Sequence, residues 1–190
     1  MKLIKKLFLP FILALCHLFS NVHAQAPTMI KHLKIGDQLP DIEITNFMNS
    51  TIVKAKVSDF KGKILLLDFW HSGCSSCIDA FPKMDSLQKI YSGKLQIFLV
   101  NPKSLKDTER NVKIVVNRIN SWTGTPFILP ILFPDTAISE NFDIRSFPAV
   151  AWIGPEGRVL AITGSSEVTG ENISNAIKGL PIATSFHSVK

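Results

Sequence analysis

Residues 63–70 (KILLLDFW) form a near-continuous apolar run broken only by Asp68. A run of this kind suits a strand buried on both faces, as in a parallel sheet, and it makes this segment the centre of whatever sheet the chain builds. Cys74 and Cys77 follow after a short loop, and Ile78, Phe81, Met84, Leu87 and Tyr91 then recur at spacings of three and four. That is the stripe of an amphipathic helix. A central strand, a loop bearing two thiols and a helix therefore constrain the rest of the fold.

The remaining elements arrange themselves around this unit. Residues 95–100 read as a second apolar strand, and Val112, Val115, Val116 and Ile119 place a helix over 106–121. Residues 129–133 read as a short strand, 138–142 as a brief helix and 147–153 as another strand. The turn Gly154-Pro155-Glu156-Gly157 then joins that strand to residues 158–163 as an antiparallel hairpin. A helix over 168–178 closes the pattern. Upstream, residues 41–47 and 51–57 alternate around Met48-Asn49-Ser50, which predicts a hairpin ahead of the core. Strands alternating with helices and ending in a hairpin make an α/β fold, a mixed sheet flanked by helices.

The first two dozen residues read as an address. Lys2, Lys5 and Lys6 precede the apolar stretch 7–19, and Val22-His23-Ala24 offers a small-residue cleavage site, so residues 1–24 are expected to be a signal peptide removed after Ala24. The apolar stretch is shorter than the roughly 20 residues of a spanning helix, and Pro10 interrupts it; an uncleaved membrane anchor is the alternative. Cys16 leaves with the signal, and Leu15 before it fits a lipoprotein site poorly. Loss of three lysines takes 21 basic residues to 18 against 15 acidic, lowering the net charge from +6 to +3. No Lys/Arg cluster survives, which excludes a nucleic-acid footprint.

About 166 residues remain, enough for one domain with one core. The expected layout is a lead over 25–34, a domain over 35–179 and a mobile, aperiodic tail over 180–190.

With Cys16 gone, both remaining cysteines lie in Cys74-Ser75-Ser76-Cys77. A structural staple is a poor reading, because a ring closing two intervening residues constrains little of the unfolded chain. A zinc site wants four ligands, and one Cys pair with scattered histidines falls short. His71 with the two thiols leaves a soft-metal site such as Cu(I) open. A redox couple explains the placement: at a helix start, unpaired N–H groups and the dipole favour a thiolate at Cys74, and Cys77 lies one turn further in.

The segment resembles the active site of thioredoxin-fold proteins, and specifically of the exported TlpA-like thiol-disulfide oxidoreductases. Phe69-Trp70 leads by a short loop into Cys74-x-x-Cys77, Asp68 lies six residues before Cys74, and Pro82 falls where the family's helix kinks. Phe147-Pro148 precedes a strand and hairpin like the family's cis-proline strand, and residues 101–135 fit its strand-helix insertion. The chain departs in Gly73 where a Trp is usual, in Ser75-Ser76 for Gly-Pro, and in Ala80 where some relatives carry a buried Glu.

The resemblance implies a thioredoxin-like fold and an exported enzyme that exchanges disulfides, in the reductase direction, needing no organic cofactor and no metal. Cys74 would be the nucleophile, Cys77 the resolving thiol, and Asp68, buried among apolar neighbours, the acceptor of the Cys77 proton. Phe147, cis-Pro148 and Trp70 would shape substrate binding, with Trp70 serving packing first. His71, Ser75 and Ser76 are possible modulators of the sulfur. Partners would be protein or thiol substrates joined through mixed disulfides, and an electron donor for which a membrane protein is one candidate. Two other classes stay open, a Cu(I)-handling protein and a noncatalytic partner-binding module.

Overall fold

The computed structural model describes residues 32–184. Residues 1–24, expected to be a signal peptide, most of the expected lead and the last six residues lie outside that range. Among the described residues, eight strands and three α-helices succeed one another. The strands are β1 (Glu43–Ile44), β2 (Phe47–Met48), β3 (Ala55–Lys56), β4 (Ile64–Phe69), β5 (Leu95–Pro102), β6 (Ile131–Asp135), β7 (Ala149–Ile153) and β8 (Val159–Thr163). The helices are α1 (Ser75–Ile90), α2 (Glu109–Thr123) and α3 (Gly170–Ile177).

The main sheet runs β2-β6-β5-β4-β7-β8. β4, β5 and β6 are parallel, and β7, β8 and β2 each pair antiparallel with their neighbours. β4 is thus central, and every one of its residues is buried.

Side chains alternate across β4, so Ile64, Leu66, Asp68 and Trp70 point one way and Leu65, Leu67 and Phe69 the other. The first set joins a core with Ile78, Phe81 and Met84 of α1, Val112, Val115 and Ile119 of α2, and Ile173 and Ala176 of α3. The second set packs on Leu39, Ile44, Val57, Phe60, Ile138 and Phe142. One face therefore carries the helices and the other is closed by the N-terminal segment and the 138–142 turn.

Helix α1 keeps its course despite Pro82. A proline inside a helix costs about 3 kcal/mol, and burying Ile78, Phe81 and Met84 returns roughly 1.5–3 kcal/mol each, so packing wins. Gln88 bonds the backbone at Leu95 and Ile97, tying the helix to the start of β5. Thr108 caps α2 through Asn111, and Gly157, at a φ of 82°, closes the β7–β8 turn.

Two expectations need correcting. The hairpin over 41–57 forms only at its base, where β1 pairs with β3 through Glu43↔Lys56 and Ile44↔Ala55. Its middle leaves the pair as β2 and becomes an edge of the main sheet against β6, with the Asn49 side chain bonded to the carbonyls of Phe127 and Leu129. The stretch after Gly179, expected to be mobile, is held as far as it is described: Leu180 N–H donates to Asn175, and the Asn172 amide makes two 2.9 Å bonds with Ala183.

Candidate functional site

The site is built where β4 ends and α1 begins. Backbone bonds carry the chain across: Trp70 N–H donates to Val100, and Cys74 N–H donates to His71 in a tight turn. Cys74 is the N-cap of α1, and its sulfur accepts from the Cys77 N–H at 3.3 Å. A side chain in this position takes one of the N–H groups that a helix start leaves without a partner. Cys74 and Cys77 are joined in a disulfide with Cα atoms 5.3 Å apart. Cys74 is 7% exposed and Cys77 is fully enclosed, so of the two residues only Cys74 offers any surface to the outside.

The residues around the disulfide differ in what they can do. Ser76 Oγ stands 3.6 Å from the Cys74 sulfur, while Ser75 is exposed. His71 Nδ1 accepts from the Gly73 N–H at 3.2 Å, and the imidazole meets the Phe147 ring edge-on at 5.2 Å. A Cβ at position 73 would come within 3.2 Å of that Nδ1, so the glycine makes room for the histidine. The Phe147-Pro148 bond is cis, and Phe147 is half-buried at the mouth of the site.

Phe147 also borders a cleft of about 230 Å³ lined by Phe69, Pro102, Leu105, Glu140, Phe142 and Ile144. Trp70 does not serve as surface. It is wholly buried and packs edge-to-face on Phe81 at 5.2 Å, so the expectation that it contacts substrate is corrected to a packing role.

Asp68 lies on the face of β4 that looks towards α1 and is fully buried. Neither carboxylate oxygen has a hydrogen-bond partner among the described residues. Burial therefore drives its pKa well above the ordinary carboxylate range, and only the positive charge of Lys83 opposes the rise. Lys83 reaches from α1 to the Ser165 carbonyl at 3.0 Å.

Three residues that sequence reasoning missed complete the loop. Asp107 accepts from the Ser72 N–H at 2.7 Å, from the Ser72 hydroxyl, and from the Asn101 side-chain amide at 2.8 Å. Thirty-five residues separate Ser72 from Asp107, and no local motif marks either. Among the described residues, no three His, Cys, Asp or Glu side chains converge as metal ligands would.

Comparison with known proteins agrees with this geometry. The thioredoxin-like protein YneN of Bacillus subtilis (strain 168) is 29% identical over 122 residues, covering 64% of this chain and 66% of that protein. The thiol-disulfide oxidoreductase ResA of the same organism is 29% identical over 114 residues, or 59% of each chain. The chain thus spans less than two thirds of the length of either relative. The thioredoxin domain of a thiol-disulfide oxidoreductase from Bacteroides vulgatus superposes with a TM-score of 0.56 at 24% identity, covering 77% of this chain and 97% of that domain. This likeness bears out the thioredoxin-like fold. Residues 35–162, well over half of the sequence, match the AhpC/TSA family, and the chain belongs to that family.

Proposed function

We propose that this protein is an exported thiol-disulfide oxidoreductase that reduces disulfides in protein or thiol substrates through Cys74 and Cys77. The observation that carries the reading is the inequality of the two cysteines: one caps a helix and offers some surface to the outside, the other is fully enclosed.

In the reduced enzyme the Cys74 thiolate attacks one sulfur of a substrate disulfide. That S–S bond breaks, a mixed disulfide forms, and the displaced sulfur leaves as a thiol after taking a proton. Asp68, as the carboxylate, accepts the Cys77 proton on the inner side, directly or through water. The Cys77 thiolate then attacks Cys74, the mixed disulfide breaks, and the second substrate thiol departs. The substrate gains two electrons and the enzyme is left with the Cys74–Cys77 disulfide, which a separate thiol donor must reduce. Burial suits Asp68 to this task because a carboxyl whose pKa is raised well above the ordinary carboxylate range is a better proton acceptor than an exposed one.

Phe147 and the cleft beside it offer a half-apolar surface for the substrate segment flanking the attacked disulfide. The chemistry calls for no organic cofactor or metal. Export rests on the N-terminal sequence pattern; no helix among the described residues is long and apolar enough to cross a membrane. The reductase direction rests on the family resemblance. Couples of this kind span about −270 to −120 mV, so a potential measured against glutathione decides it, with a value near the oxidising end reversing the assignment.

The experiment that tests the whole reading is capture with Cys77→Ser in the native compartment. Disulfide-linked substrates should accumulate on Cys74 and vanish when Cys74 is also changed to Ser. No captured species, together with a Cys74 thiol no more acidic than free cysteine, would refute it.

A further inference from the structure

We infer that Asp107 is a positioning residue for the redox loop, acting through Ser72 to hold the Cys74 sulfur at the start of α1. The inference rests on the disulfide-exchange reading above and assigns a part to residues outside the two cysteines and Asp68.

The loop between β4 and α1 is short, and part of its hydrogen bonding is internal. His71 and Gly73 bond each other within the loop, and Cys74 N–H bonds the His71 carbonyl. These contacts shape the loop but attach it to nothing else. Beside the Trp70 N–H bond to Val100 and the His71–Phe147 ring contact, a side-chain attachment comes from Ser72, whose backbone N–H and hydroxyl both point at the Asp107 carboxylate, one to each oxygen. A two-point bond from one residue fixes orientation as well as distance.

Asp107 is itself held. The Asn101 amide donates to the oxygen that Ser72 N–H also uses, and Asn101 is fully buried at the end of β5, the strand parallel to β4. On its other side Asp107 is followed by Thr108, the N-cap of α2. The loop carrying the disulfide is therefore anchored to the end of β5 and the start of α2.

The carboxylate is present as the anion this role requires. Burial alone would raise its pKa, but donation from the Ser72 hydroxyl, Asn101, the Ser72 N–H and Asn111 outweighs burial and holds the group below the ordinary carboxylate range. The Cys74 sulfur depends on loop position because its bond to the Cys77 N–H exists only while Cys74 occupies the N-cap.

Two roles for Asp107 predict opposite signs. As a bystanding negative charge it would disfavour the Cys74 thiolate, so neutralising it would lower the thiol pKa. As an anchor it favours the thiolate by keeping the sulfur on the helix N–H group, so neutralising it raises the thiol pKa and slows attack.

The test uses the reduced full-length protein, with Cys74 alkylation followed across a pH series and disulfide reduction measured alongside, for wild type, Asp107→Asn, Ser72→Ala and the double variant. Asp107→Asn should move the alkylation midpoint to higher pH and slow substrate reduction about tenfold, and Ser72→Ala should do the same to a lesser degree, about threefold. The double variant should be no slower than Asp107→Asn alone, because both changes break one contact.

A midpoint that stays or falls in the variants, or a double variant whose losses multiply, overturns the inference while an active wild type leaves the exchange reading standing. An inactive wild type sinks the exchange reading itself. Should Asp107→Asn fail to fold, an unmoved midpoint in Ser72→Ala is sufficient to overturn the anchor.

Discussion

Asp68 and Asp135 are both fully buried aspartates on strands of the same sheet, yet their surroundings could hardly differ more. Asp135 ends β6 and accepts from the backbone N–H groups of Ser139 at 2.7 Å and Ile138 at 3.2 Å. Burial raises its pKa, and those donors together with Asn46 pull it partly back. Asp68 has no donor among the described residues, and only the charge of Lys83 opposes the effect of burial. A buried acid that organises a turn comes with N–H groups aimed at it. One left bare is a cost to folding, retained where its protonation is useful.

The contrast is broken most directly by replacing each acid. Asp68→Asn should slow resolution of the mixed disulfide about 100-fold, as expected for loss of a general base, while stability in urea at neutral pH holds or rises. Loss of stability with unchanged resolution would put Asp68 in the same class as Asp135. Asp135→Ala should do the reverse. Leaving the Ile138 and Ser139 N–H groups buried without an acceptor should cost about 2–3 kcal/mol in urea unfolding, with Cys74 alkylation in the folded protein unchanged.

Acidity sharpens the comparison further. Because the native state holds the Asp68 proton that the unfolded chain releases, the contribution of Asp68 to stability is greatest below the unfolded carboxylate value of about 3.9 and falls as pH rises towards the folded pKa. Asp68→Asn should flatten that limb. Asp107 runs the other way: its depressed pKa contributes stability above the unfolded value that is lost as pH falls through the folded one, so Asp107→Asn should remove part of the acid limb. Urea midpoints collected across the acid and neutral range read both slopes. The smallest expected effect belongs to Lys83→Met, which should push the Asp68 limb to higher pH without altering the fold. Added salt should mimic part of that shift in the wild type, since Lys83 is exposed.

Much of the scaffold was readable because the chain states it locally. An apolar run of the length of β4 has few destinations, and the stripe from Ile78 to Leu87 has the period of a helix. The cysteines, Asp68 and the hairpin at Gly154–Gly157 sit at fixed offsets from those elements. The base of the first hairpin was legible and its middle was not: β2 is two residues long, and its partner β6 lies more than eighty residues away.

Distance along the chain also hid Ser72, Asn101 and Asp107, whose meeting exists only after β5 has paired with β4. Asp135 left a trace, an Asp four residues before a Ser at the entry to a short turn, but that pattern is common wherever chains bend. Trp70, expected to serve packing first and substrate second, keeps only the first role, because strand alternation turns it inward onto Phe81.

β4 has a ladder along each edge, six register pairs with β5 and five with β7. Its amides should exchange with solvent deuterium only when the whole domain opens, whereas two-residue strands such as β1 and β3 can fray without it. The disulfide thus follows by a short loop a strand expected to be among the last to open. In the proposed exchange, electrons would enter and leave through Cys74 while the foundation beneath it stays shut.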